Sequence, residues 1–330
     1  MRKPIPIILD VDTGIDDAVS IMIACKDKRV QPIMLVTCHG NTTVENITQN
    51  TLDVLSMLGE DHIPVVQGMK RALVKDRSHV FAHGTDGMGG YKLESSQVTK
   101  LETEALESIH AVLNSWGEPV TYVCIAPVTN LAKLLITYPE DAKKIKQAVI
   151  MAGSNEAVKK GSLPYREFNA SVDPEALEVV LNSPVEKVFV TMEMGHTAYL
   201  DWQDVYKTEH TNAVGETFEK IYRGYHDYHV KNGIATHDGC AVAYVINPKL
   251  FEVLPAHMQV NYYKEYGTGV GVVDYSRKPN CIVTTKIDVK KFKKLYFKCL
   301  KACRNNNINS KIVGNLTTTH KQQSDNINRD

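Results

Sequence analysis

Through residue 190, apolar runs of strand length recur along the chain, and segments with helical spacing lie between them. "IPIILDV", "PIMLVTC", "IPVVQG", "VTYVCIA", "KQAVIMAG" and "EKVFVTM" are almost continuously apolar. A strand with one wet face alternates apolar and polar residues; these do not, so both of their faces must be covered. Between them, Val44, Ile47, Val54, Leu55 and Leu58 keep helical period until Gly59, "LETEALESIHAVLNSW" is amphipathic, and "TNLAKLLITYP" runs into Pro139. "DPEALEVVLNSP" carries its proline at the first turn of a helix, where a missing N–H costs nothing. This βαβα order predicts an α/β fold, a Rossmann-like open, mostly parallel sheet with helices on both faces. No linker rich in Pro, Gly or Ser divides the chain, so residues 1–303 are expected to form a single domain. The polar, Asn-rich residues 304–330 lack core-forming side chains and are expected to be disordered.

In such sheets ligands sit outside the carboxyl ends of the strands. The first strand ends in "DVDTGIDDA", which places Asp10, Asp12, Asp16 and Asp17 within eight positions. Like charges this close raise one another's pKa unless a cation or proton relieves them, and clustered carboxylates suit a hard divalent cation. Asp16 and Asp17 also stand at a helix start, where capping is an alternative use. "HGN" (39–41), "APVTN" (126–130) and "MAGSN" (151–155) end other strands, so several loops converge on one crevice. Asn41 is either a neutral hydrogen-bonding group of that crevice or a solvated loop residue. In "YREFNASVDPEA", Glu167 and Asn169 flank Phe168 and could both face a polyol with the aromatic packed inward; a plain exposed polar edge is the other reading. In "ATHDGCAVAYVINP", Asp238 either caps the buried helix that follows or belongs to the site, and His237 is a candidate acid near neutral pH.

Composition excludes little else. Lys+Arg and Asp+Glu are both 38, which argues against a general binder of nucleic acid or anionic membranes. No apolar stretch approaches the ~20 residues that span a bilayer, and the apolar run after "MRKP" meets Asp10 too soon for a signal peptide. Seven cysteines without CxxC spacing fit free thiols in a reducing compartment. A soluble cytoplasmic protein is expected.

Taken together, "DVDTGIDDA", "HGN", "HGTDGMGG", "VTNLA", "VIMAG", "EFNASVDPEA" and "HDGCAVAYVINP" resemble, in order and interval, the nucleoside hydrolase family, the inosine-uridine-preferring type of nucleoside N-ribohydrolase. The resemblance implies Ca²⁺-dependent hydrolysis of the N-glycosidic bond of ribonucleosides. It implies one Ca²⁺ held by Asp12, Asp17, Asp238 and the main-chain oxygen of Thr129, with Asp10 supporting the cluster. Asp16, Asn41, Glu167 and Asn169 would bind the ribose hydroxyls, and Met151 would pack on the sugar. Asp12 would be the general base and His237 the acid on the leaving-base side. His83 would stand near the pocket mouth, and Tyr225 and His229, read as one turn apart on a helix, would face the base. A homodimer or homotetramer is implied as well.

Some positions depart from the family pattern. Ser162 stands where many members carry an asparagine for the ribose 5′-hydroxyl, and "MAGS" replaces the usual double glycine. Purine-preferring members often stack the base between tryptophans, whereas Trp116 and Trp202 both lie far from the 222–229 segment in sequence. That favours uridine-like substrates or broad use. Two other readings compete: a Mg²⁺ phosphatase of the haloacid-dehalogenase type, from the "DVDT" run, with Asp10 as nucleophile; and a non-catalytic riboside binder on the same fold.

Overall fold

The computed structural model describes residues 3–76, 82–157, 161–225 and 231–303. His229 and the tail from 304 onward lie outside the described residues.

The first half of the chain alternates strand and helix as its pattern predicts: β1 (Ile5–Val11), α1 (Ile15–Lys26), β2 (Val30–Thr37), α2 (Val44–Leu58), β3 (Val65–Gln67), α3 (Ala105–Ser115), β4 (Val120–Cys124), α4 (Thr129–Thr137) and β5 (Ile145–Met151). There follow α5 (Phe168–Val172), α6 (Pro174–Asn182), β6 (Lys187–Val190), α7 (Met192–Thr197), β7 (Leu200–Asp201), α8 (Trp202–Glu209), α9 (Ala213–Tyr222), β8 (Gly233–Ile234) and α10 (His237–Ile246). The chain continues through β9 (Phe251–Tyr263), β10 (Thr268–Asp274), β11 (Cys281–Ile287) and α11 (Val289–Ala302).

Nine of these strands form one sheet in the order β10-β9-β11-β6-β5-β4-β1-β2-β3. From β3 to β11 all pairings are parallel; β9 and β10 add an antiparallel edge. Side chains alternate between two cores, as strand geometry requires. Ile7, Leu9 and Val11 of β1 join α1, α10 and α11 on one face. Ile8 joins Tyr122, Ile150 and residues of α3, α4 and α6 on the other. The open sheet with helices on both faces is therefore as expected.

One feature of this order positions the site. β1 pairs with β2 on one side and with β4 on the other, and the chain winds outward from β1 in both directions. The loops after β1 and β4 diverge, and a crevice opens between them at the switch point.

Candidate active site

The floor of the crevice is built on β1 and the first turn of α1. Asp17 accepts the backbone N–H groups of Asp12 (3.2 Å) and Gly14 (2.9 Å), so it does cap the helix, but it turns the same carboxylate toward its neighbours. Carboxylate oxygens of Asp16, Asp17 and Asp238 lie within 4.8 Å of one another. Asp12 Oδ2 accepts the backbone N–H of Asn41 at 2.9 Å, and Asn41 Nδ2 returns a bond to the Asp12 carbonyl at 3.0 Å. Asp12, Asp16, Asp17 and Asp238 are all buried. No Lys or Arg among the described residues pairs with any of them; His83 Nε2 stands 3.7 Å from Asp16 Oδ1.

Burial, reinforced by repulsion from neighbouring carboxylates, drives Asp12, Asp17 and Asp238 toward the protonated form. The Asp17 carboxyl is pushed up to about 8, first by desolvation and then by Asp16. Asp12 and Asp238 are raised well above the ordinary value for the same reasons, burial first. Buried carboxylates without a cationic side chain are costly as anions, so the donor set fits a bound cation, and its all-oxygen character fits a hard one.

Asp10 serves differently. Its oxygens accept the Tyr122 hydroxyl (2.7 Å) and Asn130 Nδ2 (2.9 Å), and Asn130 also bonds the Thr37 carbonyl and the Met69 N–H. The side chain thus ties β1 to β2, β4 and α4 beneath the floor, while burial lifts its pKa to about 7.

Glu167, Asn169, Met151 and Ile125 share the wall of a cavity of about 230 Å³ with Asp12, Asp16, Asn41 and Asp238. Glu167 caps α5, accepting the N–H groups of Gly153, Asn169 and Ala170 at 2.8–2.9 Å. Asn169 Nδ2 bonds the carbonyls of Ile125 (3.1 Å) and Met151 (3.0 Å). Phe168 was expected to pack inward; it is half-buried and lines the same cavity, because the Glu167 cap turns α5 so that residue 168 opens the helix. Thr129 is absent from the cavity wall. It begins α4, and its hydroxyl bonds Asp173 (2.6 Å) and His39 (2.9 Å). Ser162 is exposed and off the wall, where Tyr165 and Arg166 stand instead.

His237 is the first residue of α10. Its Nδ1 lies 3.1 Å from the Met192 carbonyl; a carbonyl only accepts, so Nδ1 carries the hydrogen and the exchangeable site is Nε2. His83 is bound the other way, accepting the Ile15 N–H on Nδ1 at 3.1 Å, and its ring meets Tyr225 at 5.1 Å. It is a fixed wall at the start of α1. Helix α9 stops at Tyr222, so Tyr225 reaches the cavity from the turn beyond it, not from the helix expected. Tyr222 is core, with its hydroxyl 3.0 Å from that of Tyr296.

Glycine is required where these groups crowd the backbone. A Cβ on Gly40 would stand 2.0 Å from Asp12 Oδ2. Gly40→Ala is therefore expected to cost about 1–3 kcal/mol of stability and to weaken cation binding several-fold, checked by urea denaturation and by calorimetric titration of the metal. Unchanged metal affinity would show that Asp12 does not depend on this contact.

Sequence reasoning missed Ile125, Tyr165, Arg166, Met192 and His196 on the wall, and the Tyr122–Asn130 support. A tyrosine in a wholly buried strand was a usable signal, since its hydroxyl must find a partner.

Fold and pocket together define an α/β protein with an acidic, cation-accepting ligand site at a switch point. The chain belongs to the family of inosine-uridine preferring nucleoside hydrolases, whose profile it matches over residues 7–294. It is thus a hydrolase acting on N-glycosyl bonds of ribonucleosides, and the phosphatase reading falls. A Salmonella paratyphi C protein described as non-specific ribonucleoside hydrolase RihC is 34% identical over 298 residues, covering 89% of this chain and 96% of its own. The fold superposes on an inosine-guanosine nucleoside hydrolase with a TM-score of 0.80 at 27% identity, over 90% of this chain and 98% of that one. A plant nucleoside hydrolase gives 0.82 at 26% identity, over 91% and 99%.

Proposed function

We propose that this enzyme hydrolyses a broad range of ribonucleosides, uridine among them, to free base and ribose, with one Ca²⁺ in the acidic floor. The observation that carries this reading is the set of buried carboxylates that no Lys or Arg among the described residues pairs with, beside a cavity that Glu167 and Asn169 also line. Breadth is supported by the non-specific description of the Salmonella relative.

Asp12, Asp17 and Asp238 would hold the ion with a main-chain oxygen from the 125–129 segment. The position of Ile125 on the wall favours its oxygen over that of Thr129. Bound there, Ca²⁺ would fix ribose hydroxyls and lower the pKa of a coordinated water. Asp16, Asn41, Glu167 and Asn169 orient the ribose hydroxyls, and Met151 packs against the sugar. Asp12 removes the proton of the attacking water, and the anionic floor stabilises the positive charge that develops on the sugar. His237, with Nδ1 anchored on Met192, presents Nε2–H to the departing base. Tyr225 and His83 border the base. The exposed Trp202 and Tyr206 side chains support self-association as a homodimer or homotetramer, which sedimentation would check. All seven cysteines are free thiols, in keeping with the cytoplasm.

The test is release of base from uridine, cytidine, inosine, guanosine and adenosine, followed by chromatography with Ca²⁺ and after exhaustive chelation. Release from several nucleosides that stops on chelation is expected. Nucleoside binding with no base released would instead make the chain a riboside binder.

A further inference from the structure

Helix α7 makes two contacts with His237, and only one of them is used by the chemistry above. Its first residue, Met192, supplies the carbonyl that anchors His237 Nδ1. Gly195 lies so close under the His237 ring that a Cβ there would stand 2.3 Å from Nδ1. The next residue, one turn after Met192, is His196. Its ring meets His237 edge-on, with centroids 4.7 Å apart and planes at 77°, and it lines the same cavity.

Resting on the hydrolase reading, we propose that His196 contacts the base of the bound nucleoside and sets which bases leave fast. The argument is positional. Asp238, next in sequence to His237, belongs to the acidic floor that takes the sugar. His196 adjoins His237 edge-on through its ring and lines the same cavity. A base leaving past His237 therefore meets His196 next. Met192, on the same helix, offers no hydrogen bond to a base edge, whereas imidazole offers both a donor and an acceptor and can match a ring nitrogen or a carbonyl of purines and pyrimidines alike. A site built to bond a polar edge discriminates strongly against leaving groups that lack it. The short helix thereby couples leaving-group activation, through Met192 and His237, to base recognition, through His196.

The experiment compares wild type with His196→Ala, His196→Phe and His196→Gln on uridine, inosine and p-nitrophenyl β-D-riboside. The aryl riboside has a good leaving group and no base edge. Expected is a loss of about 10–100-fold in kcat/KM on the nucleosides for Ala and Phe, unequal between uridine and inosine, partial recovery with Gln, and activity on the aryl riboside within twofold of wild type. An equal loss on all three substrates, or no loss on any, overturns the proposal. Calorimetric binding of uridine and inosine to wild type and His196→Ala separates the two levels of inference. If wild type binds nucleosides but cleaves none, the hydrolase reading fails, and an unchanged affinity in the variant would overturn the contact as well.

Discussion

Asp12→Asn is expected to lower kcat for base release by at least about 10³-fold, the upper part of what a positioned general base contributes, while leaving the fold intact. The amide keeps the shape of the carboxylate, and its oxygen can still accept the Asn41 N–H that now bonds Asp12 at 2.9 Å. What it loses is charge: it cannot take the proton of the attacking water, and it is a weak ligand for a hard cation. Stability should move the other way. Asp12 is buried and repelled by Asp17, Asp16 and Asp10, so neutralising it in metal-free protein removes an unfavourable interaction. The metal-free variant should melt no lower than wild type in differential scanning calorimetry. A variant that melts several degrees lower, or retains a tenth of the activity, would take Asp12 out of the role assigned to it.

Metal removal should produce the second large effect, and its dependence on pH has a definite sign. In metal-free protein, Asp10 and Asp17 have folded-state values of about 7 and about 8, against about 3.9 for an unfolded aspartate. Asp12 and Asp238 are raised in the same direction. The native state then binds more protons than the unfolded state across this interval, so metal-free stability must fall as pH rises from about 4 toward 8. Ca²⁺ requires the deprotonated carboxylates and competes with those protons, so its stabilisation should grow over the same interval. At about 100 times its Kd the ion adds about 2.7 kcal/mol, on the order of 5 °C in Tm for a domain of this size. Melting curves at pH 5.5 and 8.0, with Ca²⁺ and with chelator, are expected to show a lower metal-free Tm and a larger Ca²⁺ increment at pH 8.0. An equal increment at both would mean that the ion does not sit on these groups.

The parts of the molecule that could be read from its residues share a physical property: their signals are local. Strands such as β4, with all five residues buried, declare themselves by unbroken apolar character, and four aspartates in eight positions announce a cation without reference to anything distant. β9 gave no such signal, because it mixes buried and exposed positions along its length and carries Pro255. The Asp10 partners were hidden for another reason. Tyr122 lies 112 positions away in the chain and Asn130 120, and only the winding of the sheet makes them neighbours. The absence of Thr129 from the cavity wall is subtler. Ile125 lies in the loop after β4 and reaches the cavity, whereas Thr129 already opens α4 and does not. His196 was invisible because α7 is too short to show a period.

The winding of the sheet from β1 has a consequence for how such an enzyme can change. The part of the acidic floor that follows β1 and β2 is tightly packed: Gly40 and Gly14 admit no side chain without striking Asp12, Asn41 or His83. The opposite rim comes from chain segments outside the sheet: Tyr165 and Arg166 before α5, His196 on α7, Tyr225 beyond α9. Substitutions at Gly40 and Gly14 collide with buried neighbours, whereas Tyr165 and Arg166 are exposed and can change without striking the core. A directed-evolution library confined to Tyr165 and Arg166 is therefore expected to change which ribosides are cleaved while leaving the buried carboxylates in place.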